Sequence, residues 1–500
     1  MEKMKRYLIL ITIALLWIGC NKDDDNGIPE PGGPDPQPQA NVEVQDFMWK
    51  AMNLWYFWQA DVTDLADTRF NNDEDYTNFL RSEDNPEDFF KKLLFTEDRF
   101  SFFNDDYKEL VNNFAGVSKS NGMEFGLSRF GSGNDVFGFV QYVVPGSDAD
   151  AKGVKRGDIF KTVNGQQLFQ DRANASNNNY ELFDLDTYTI DISTIIDNTI
   201  TDTGNEITLN KQENLVENPV FLTKTLDVNG IKVGYLMYNR FTSNFDEELN
   251  NAFGELRAAN VSELVLDMRY NPGGSVNSSR LLASMVYGTR TNDLYIRQRW
   301  NPKIQAAFGA AQLEDFFADT TGDGTPINTL NLSKVYVLAT RGSASASELV
   351  MNGLAPYVDV IHIGTTTRGK NEFSLTFVDD PNREGAPYVY TESRESNINP
   401  NNSWAIQPLC GRNENADGFF DYTSGLAPDI ELPEDIANLG VLGDENEPLL
   451  ARALQEISGA TAKRSFTVKM PANTITNSKM FTQIKDNMYL DKPLNNITIQ

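Results

Sequence analysis

The sequence predicts a multidomain mixed α/β protein: an α/β catalytic-type core with a small helical domain and a β domain placed before or inserted in it. Three observations carry this. The 500 residues exceed what one ordinary core holds. From about Leu215 to Ile457, strand-length apolar runs alternate with segments of helical period, and parallel strands joined by helices are the economical arrangement. Ser118 to about Thr203 instead shows short strands punctuated by Gly, Pro and Asn, while Val42 to Val117 is patterned as helix. The composition is that of a folded chain, 40% hydrophobic and 11% aromatic. Its 71 acidic against 43 basic residues give a net charge of −28, which would repel phosphate and excludes nucleic acid as a partner.

The amino-terminal end reads as a processing segment. Lys3, Lys5 and Arg6 precede an apolar run from Tyr7 to Ile18, then Gly19-Cys20. The run is too short for a comfortable membrane span. It resembles a bacterial lipoprotein signal over residues 1–19, which implies lipidation of Cys20. Residues 20–41 form a tether, with Lys22-Asp23-Asp24-Asp25 followed by Pro29, Pro31, Pro34, Pro36 and Pro38. The Lys-Asp-Asp-Asp run resembles the export signal of surface lipoproteins in the Bacteroides group. An outer-membrane lipoprotein on the cell surface or periplasmic face is therefore expected. Cys410 would be the remaining thiol, so no intramolecular disulfide is expected.

Residues 42–117 are expected to be a helical domain. Val44, Phe47, Met48, Ala51, Trp55 and Trp58 recur at helical spacing as a core stripe. Asn85-Pro86 with Asp88 marks a helix start, and Phe89, Phe90, Leu93 and Leu94 give that helix its apolar face. Residues 118–205 contain strand-like runs at Val136 to Val144, Ile159 to Val163 and Thr187 to Ile195. Val144 to Leu168, VPGSDADAKGVKRGDIFKTVNGQQL, resembles a PDZ domain of the bacterial protease type. That resemblance implies a groove for an extended peptide near Phe125, Gly126 and Leu127, with Glu124 awkwardly placed beside an incoming carboxylate. Residues 171–186 are polar and are expected to interrupt the module.

Residues 206–460 supply the core. Ile231 to Met237 and Val261 to Met268 are expected strands, with a helix over Phe245 to Ala259 between them. The second strand runs into Arg269-Tyr270-Asn271-Pro272-Gly273-Gly274, where paired glycines let backbone approach a ligand closely. Thr291 to Thr329 reads as an insertion over the cleft, its Phe308, Leu313, Phe316 and Phe317 packing it or lining a groove. Asp319 to Gly324 is a surface turn, because Thr321 and Leu330 stand where a calcium loop needs ligands. Residues 461–500 are a polar, β-prone extension.

The chemistry concentrates in Arg341 to Lys370, RGSASASELVMNGLAPYVDVIHIGTTTRGK. Val335 to Ala339 reads as a strand, Gly342 to Ser347 as a small-residue turn, and the segment holding Leu349, Val350 and Leu354 as a helix. A serine lifted onto that helix start meets unpaired N–H groups able to stabilise an oxyanion. Its hydroxyl needs a base. The chain's single histidine, His362, is one candidate; a buried neutral lysine is another. No His-Glu-x-x-His motif or phosphate-binding loop is present.

The pattern Ser-Ala-Ser-Ala-Ser-Glu, a helix, a strand and Gly-Lys resembles the C-terminal processing (tail-specific) peptidases, serine proteases with a Ser-Lys dyad. The resemblance implies Ser345 as nucleophile and Lys370, 25 positions on, as base. It also implies oxyanion-hole N–H groups at Gly273 and Ala346, with Gly274 the alternative if the turn is shifted by one. Gly425-Leu426-Ala427-Pro428-Asp429 and the run Leu442 to Leu454 resemble the family's closing elements. One position departs: where the family commonly places a glutamine four residues after the lysine, this chain has Ser374. A serine endopeptidase acting on exported or unfolded polypeptides, with tail recognition by the PDZ-like domain, follows as the expectation. No metal or organic cofactor is expected. The alternative is a noncatalytic peptide-binding or scaffold lipoprotein that retains the fold.

Overall fold

Alternate side chains of the central strands face two different cores. In Ile231–Tyr238, Val233, Tyr235 and Met237 enter one apolar cluster while Leu236 and Tyr238 enter the other, the period of two that a pleated strand imposes. The computed structural model describes residues 42–129, 131–196, 199–459, 466–482, 484–491 and 494. Cys20 and the signal and tether expected around it lie outside the described residues.

The central sheet has six strands in the order Val220–Val228, Ile231–Tyr238, Glu263–Asp267, Lys334–Ala339, Asp359–Gly364 and Ile430–Glu431. The first pair is antiparallel and the others are parallel. Helices Asp246–Ala258, Val276–Tyr287 and Ala346–Leu354 contribute to one core, and Pro448–Ser458 to the other. With both faces covered, the strands carry nearly continuous apolar runs. Glu263–Asp267 and Lys334–Ala339 are neighbours, Asp267 pairing with Leu338. Each ends in a turn that starts a helix, so the two turns open side by side at the carboxyl edge of the sheet, where open α/β sheets build their sites.

The amino-terminal region is helical as expected, and its core is shared with the sheet. Phe47, Met48, Ala51 and Trp55 of helix Glu43–Trp55 lie in the same cluster as Leu266, Val337 and Leu349. The Trp55 ring lies 6.1 Å from that of Trp300 and 5.7 Å from that of Phe377. Asn85 caps helix Pro86–Lys92, its side chain accepting the Asp88 N–H at 2.8 Å.

The middle sheet is built on Met123–Arg129, which pairs antiparallel with Val136–Val143. Further strands run out to Thr199–Asn210. The polar stretch after Asp171 gives way to the turn Tyr180–Phe183, whose Tyr180, Leu182 and Phe183 enter the sheet's core. The free edge of Met123–Arg129 is taken by Thr474–Asn477, antiparallel. The carboxyl-terminal extension thus completes this sheet. In the insertion, Phe308 and Phe317 are buried in the main core and Leu313 packs against it, whereas Phe316 is exposed; the strip packs the insertion.

Candidate active site

Ser345 stands at the N-cap of Ala346–Leu354 with φ 63° and ψ −116°, a region L-residues avoid at a cost of about 1–3 kcal/mol. Its backbone N–H donates to Glu348 Oε2 at 2.7 Å, and its carbonyl accepts the Leu349 N–H at 2.8 Å. Hydrogen bonds to a charged partner contribute about 1.5–3 kcal/mol each, enough to offset the strain. The strained turn pushes the side chain out of the helix, and Ser345 Oγ is buried without a hydrogen-bond partner among the described residues.

The glycine turn is pressed against this serine. A Cβ at Gly273 would meet Ser345 Cβ at 2.5 Å, and its φ is +106°; a Cβ at Gly274 would meet Phe241 O at 2.0 Å. No other residue fits either position without moving backbone. Ala344 N–H and Ser347 Oγ both donate to Asn271 O, at 3.1 and 2.9 Å, and Ser343 Oγ donates to Met268 O at 2.7 Å. The two turns are therefore stitched into one unit. In this arrangement the Gly273 N–H donates to Asn271 Oδ1 at 2.9 Å.

Lys370 is brought to the same place by Glu348. That buried carboxylate accepts from Lys370 N–H at 2.9 Å, Gly369 N–H at 2.6 Å and Thr367 Oγ1 at 2.5 Å, besides Ser345 N–H. Burial pushes Glu348 up to about 7, while the four donors pull it down. The Lys370 side chain is 1% exposed. Burial lowers it from its ordinary value to about 8, against the opposing pull of Asp486, Glu372 and Asp98. Its Nζ lies 4.9 Å from the Phe100 ring centroid, while Arg99 Nη2 donates to Gly369 O at 2.7 Å.

The lysine's hydrogen bond goes to neither Ser345 nor Ser374. Nζ donates to Asn487 Oδ1 at 3.0 Å. Ser374 Oγ is within bonding distance of Gln407 Oε1 at 2.7 Å and of the same Asn487 Oδ1 at 3.0 Å. At the middle sheet, the Phe125 ring contacts those of Phe183 and Phe481, while Gly126 and Leu127 pair with Asn477 and Thr476. Glu124 accepts from Ser478 Oγ at 2.5 Å.

Several of these residues carried no sequence signal. Phe100 and Asp98 come from the helical region, and Gln407 and Asn487 are brought in by distant pairing. Glu348 lay inside the serine motif but shows its double grip only in three dimensions. His362 is a buried strand residue whose Nε2 contacts Ala339 O at 3.2 Å. Burial lowers its pKa. Cys410 is a buried thiol pushed up by burial.

Comparison with known proteins bears on the family and the fold. Residues 232–406 match the model of Peptidase family S41, and residues 43–102 match that of the Peptidase S41 N-terminal domain. The chain is 26% identical over 251 residues to carboxyl-terminal-processing peptidase 3, chloroplastic, of Arabidopsis thaliana, covering 48% of this chain and 44% of that protein. It is 25% identical over 237 residues to a carboxyl-terminal-processing protease of Picosynechococcus, covering 47% and 51%. The chain thus spans about half the length of these curated relatives. A solved Bacteroides fragilis chain described as a candidate S41 protease superposes with a TM-score of 0.61 at 27% identity, covering 85% of this chain and 99% of that one.

Proposed function

Residues 232–406 belong to peptidase family S41, behind that family's N-terminal domain at 43–102, and on that footing we propose that this chain is a serine endopeptidase using Ser345 and Lys370. The observation that carries the reading is the single buried carboxylate of Glu348, bonded to the backbone N–H of both residues. It ties the backbone of a strained serine to that of a buried lysine, which supports reading the two as a pair.

The proposed chemistry needs only the chain's own groups. Neutral Lys370 takes the Ser345 proton, and Oγ attacks the scissile carbonyl. The Ala346 N–H at the helix start and the Gly273 N–H, turned away from Asn271, receive the developing oxyanion. Lys370 then protonates the leaving amine, giving an acyl-enzyme, and activates the water that releases the acid. The middle sheet acts as the PDZ-like peptide reader. The partners are unfolded polypeptides, and the lipidated Cys20 holds the enzyme at the outer membrane; loss of membrane fractionation in Cys20→Ala would follow.

The deciding experiment is cleavage of an unfolded protein by the full chain and its variants. Ser345→Ala is expected to fall to background. Lys370→Ala should lose about 10²–10⁴-fold, the range of one general base. Ser343→Ala should retain activity well above both. Saturable binding without cleavage by the unaltered chain would instead favour a noncatalytic peptide-binding protein.

A further inference from the structure

The chain's own residues 474–482 run along the edge of the middle sheet, and residues 484–491 lie along the catalytic cleft. Thr474, Thr476 and Asn477 pair antiparallel with Ser128, Leu127 and Gly126, as a peptide adds to an exposed strand edge. Phe481 then fills the sheet's apolar pocket. Its ring stacks on Phe183 at 5.6 Å and lies 5.6 Å from Tyr180. Farther on, the backbone is held from both sides. Tyr489 N–H donates to Gly274 O at 3.1 Å, and Val276 N–H donates to Tyr489 O at 3.0 Å. Opposite, Ser374 N–H donates to Met488 O at 2.8 Å, and Leu490 N–H donates to Ser374 O at 2.9 Å. Asn487 Oδ1 accepts a hydrogen bond from Lys370 Nζ at 3.0 Å.

These are the contacts of an extended polypeptide in a substrate position, with one exception. Ser345 Oγ bonds to nothing among the described residues, so the occupant is held beside the nucleophile and not presented to it. Met488 and Leu490 are buried in the main core, whereas the first half of the segment borders open space. A cavity of about 620 Å³ separates Asn473 to Asn477 and Asp486 from Pro272, Gly342 and Ala344 of the catalytic turns. A second, of about 410 Å³, flanks Phe481 and Lys479.

We infer that the groove beside Met123–Arg129 and the catalytic cleft form one track for an extended polypeptide bearing an internal aromatic residue, that residues 474–482 and 484–491 are its resident strap, and that substrate binds by taking the strap's place. The inference rests on the peptidase reading for the fate of the incoming polypeptide, not for its binding. The pocket selects an aromatic side chain because Phe125, Tyr180 and Phe183 surround the Phe481 ring. The groove takes an internal segment because its donor is spent on a hydroxyl: Phe125 N–H donates to Ser478 Oγ at 3.0 Å, and Glu124 accepts from that same hydroxyl. A free carboxylate there would face the Glu124 carboxyl. Displacement couples the two ends. A strand that captures the sheet edge removes the anchor of Asn487, and Lys370 is then free to turn to Ser345.

The test is a reversible clamp in the full chain. Ser128 and Thr474 are direct register partners, at a spacing of about 4.5–5.5 Å that a disulfide spans. With Ser128→Cys, Thr474→Cys and Ser345→Ala combined, a fluorescent peptide copying residues 472–491 is titrated by anisotropy. Binding is expected to be at least tenfold weaker oxidised than reduced, in the same molecules. Phe481→Ala in the strap should tighten it at least tenfold. The peptide lacking its aromatic should bind poorly, and amidating its carboxyl end should change nothing. With Ser345 intact, an unfolded protein should be cut only in the reduced state. Binding that switches without cleavage in either state upholds the track and fails the peptidase reading. Equal binding in both redox states, or a requirement for a free carboxyl end, overturns the inference.

Discussion

Glu348 and Lys370 titrate in neighbouring ranges, and their signs differ in effect. Burial lowers Lys370 to about 8, so the neutral amine, the form the proposed base needs, accumulates as pH rises through that value. The same shift makes the buried ammonium a stability cost below about 8, a cost that fades between there and the ordinary 10.5 as only the unfolded chain stays protonated. Glu348, raised by burial to about 7, behaves differently. Three of its four partners are backbone N–H groups, which only donate, and a protonated carboxyl accepts from them more weakly than a carboxylate does. The grip on Ser345 and Lys370 therefore tightens as pH rises through about 7. A plot of log kcat/KM against pH is expected to climb in two steps, near 7 and near 8. Glu348→Gln should erase the lower step and leave the upper. A flat profile with full activity well below neutrality would exclude the lysine as base.

At the scale of elements, the two turns at the sheet edge set the site, and their sequences announced them. Strands, helix and turn follow the expected order because each apolar run meets a small-residue or glycine break where the backbone must turn. Gly273 shows how tight the tolerance is. Its φ of +106° disfavours any side chain, and a Cβ would strike Ser345 Cβ at 2.5 Å. Gly273→Ala is expected to cut kcat/KM by about 10²-fold or more, the range of a displaced oxyanion donor. Circular dichroism should show the fold retained. Activity within twofold of the unaltered chain would remove Gly273 from the reaction. Other parts of the site were not legible. The helical stripe of the amino-terminal region showed burial but not its target, and Phe100 reaches Lys370 through packing between segments about 270 residues apart. Residues 474–491 are polar and β-prone. That pattern is shared by any edge strand, and only the third dimension shows which edge it meets.

Across the whole molecule, one buried ion cluster joins the middle sheet, the glycine turn and the closing helix. Arg269 is fully buried and bonds Asp267, Glu434 and Glu447, while Arg156 of the middle sheet bonds Glu434, Tyr270 OH and the carbonyls of Gln141 and Leu439. Tyr270 lies three residues before Gly273, so the sheet that holds the strap is hydrogen-bonded to the turn that faces Ser345. Five acceptors for one guanidinium, Gly440 O being the fifth, exceed what an ammonium can serve. Arg156→Ala is therefore expected to destabilise the fold by about 3–5 kcal/mol, the usual cost of stripping one partner from a buried pair, and Arg156→Lys should recover little of it. The pH signature separates this from a general loss of packing. Burial pushes Glu434 up, but Arg156 and Arg269 outweigh it and hold the carboxylate below its ordinary range. A depressed carboxylate contributes stability above its unfolded value, about 4.5, that is lost as pH falls through the folded one. Without Arg156 the folded value rises and the contribution shrinks. Acid unfolding followed by tryptophan fluorescence should move to higher pH in Arg156→Ala, while a packing variant such as Leu454→Ala shifts urea stability at every pH alike.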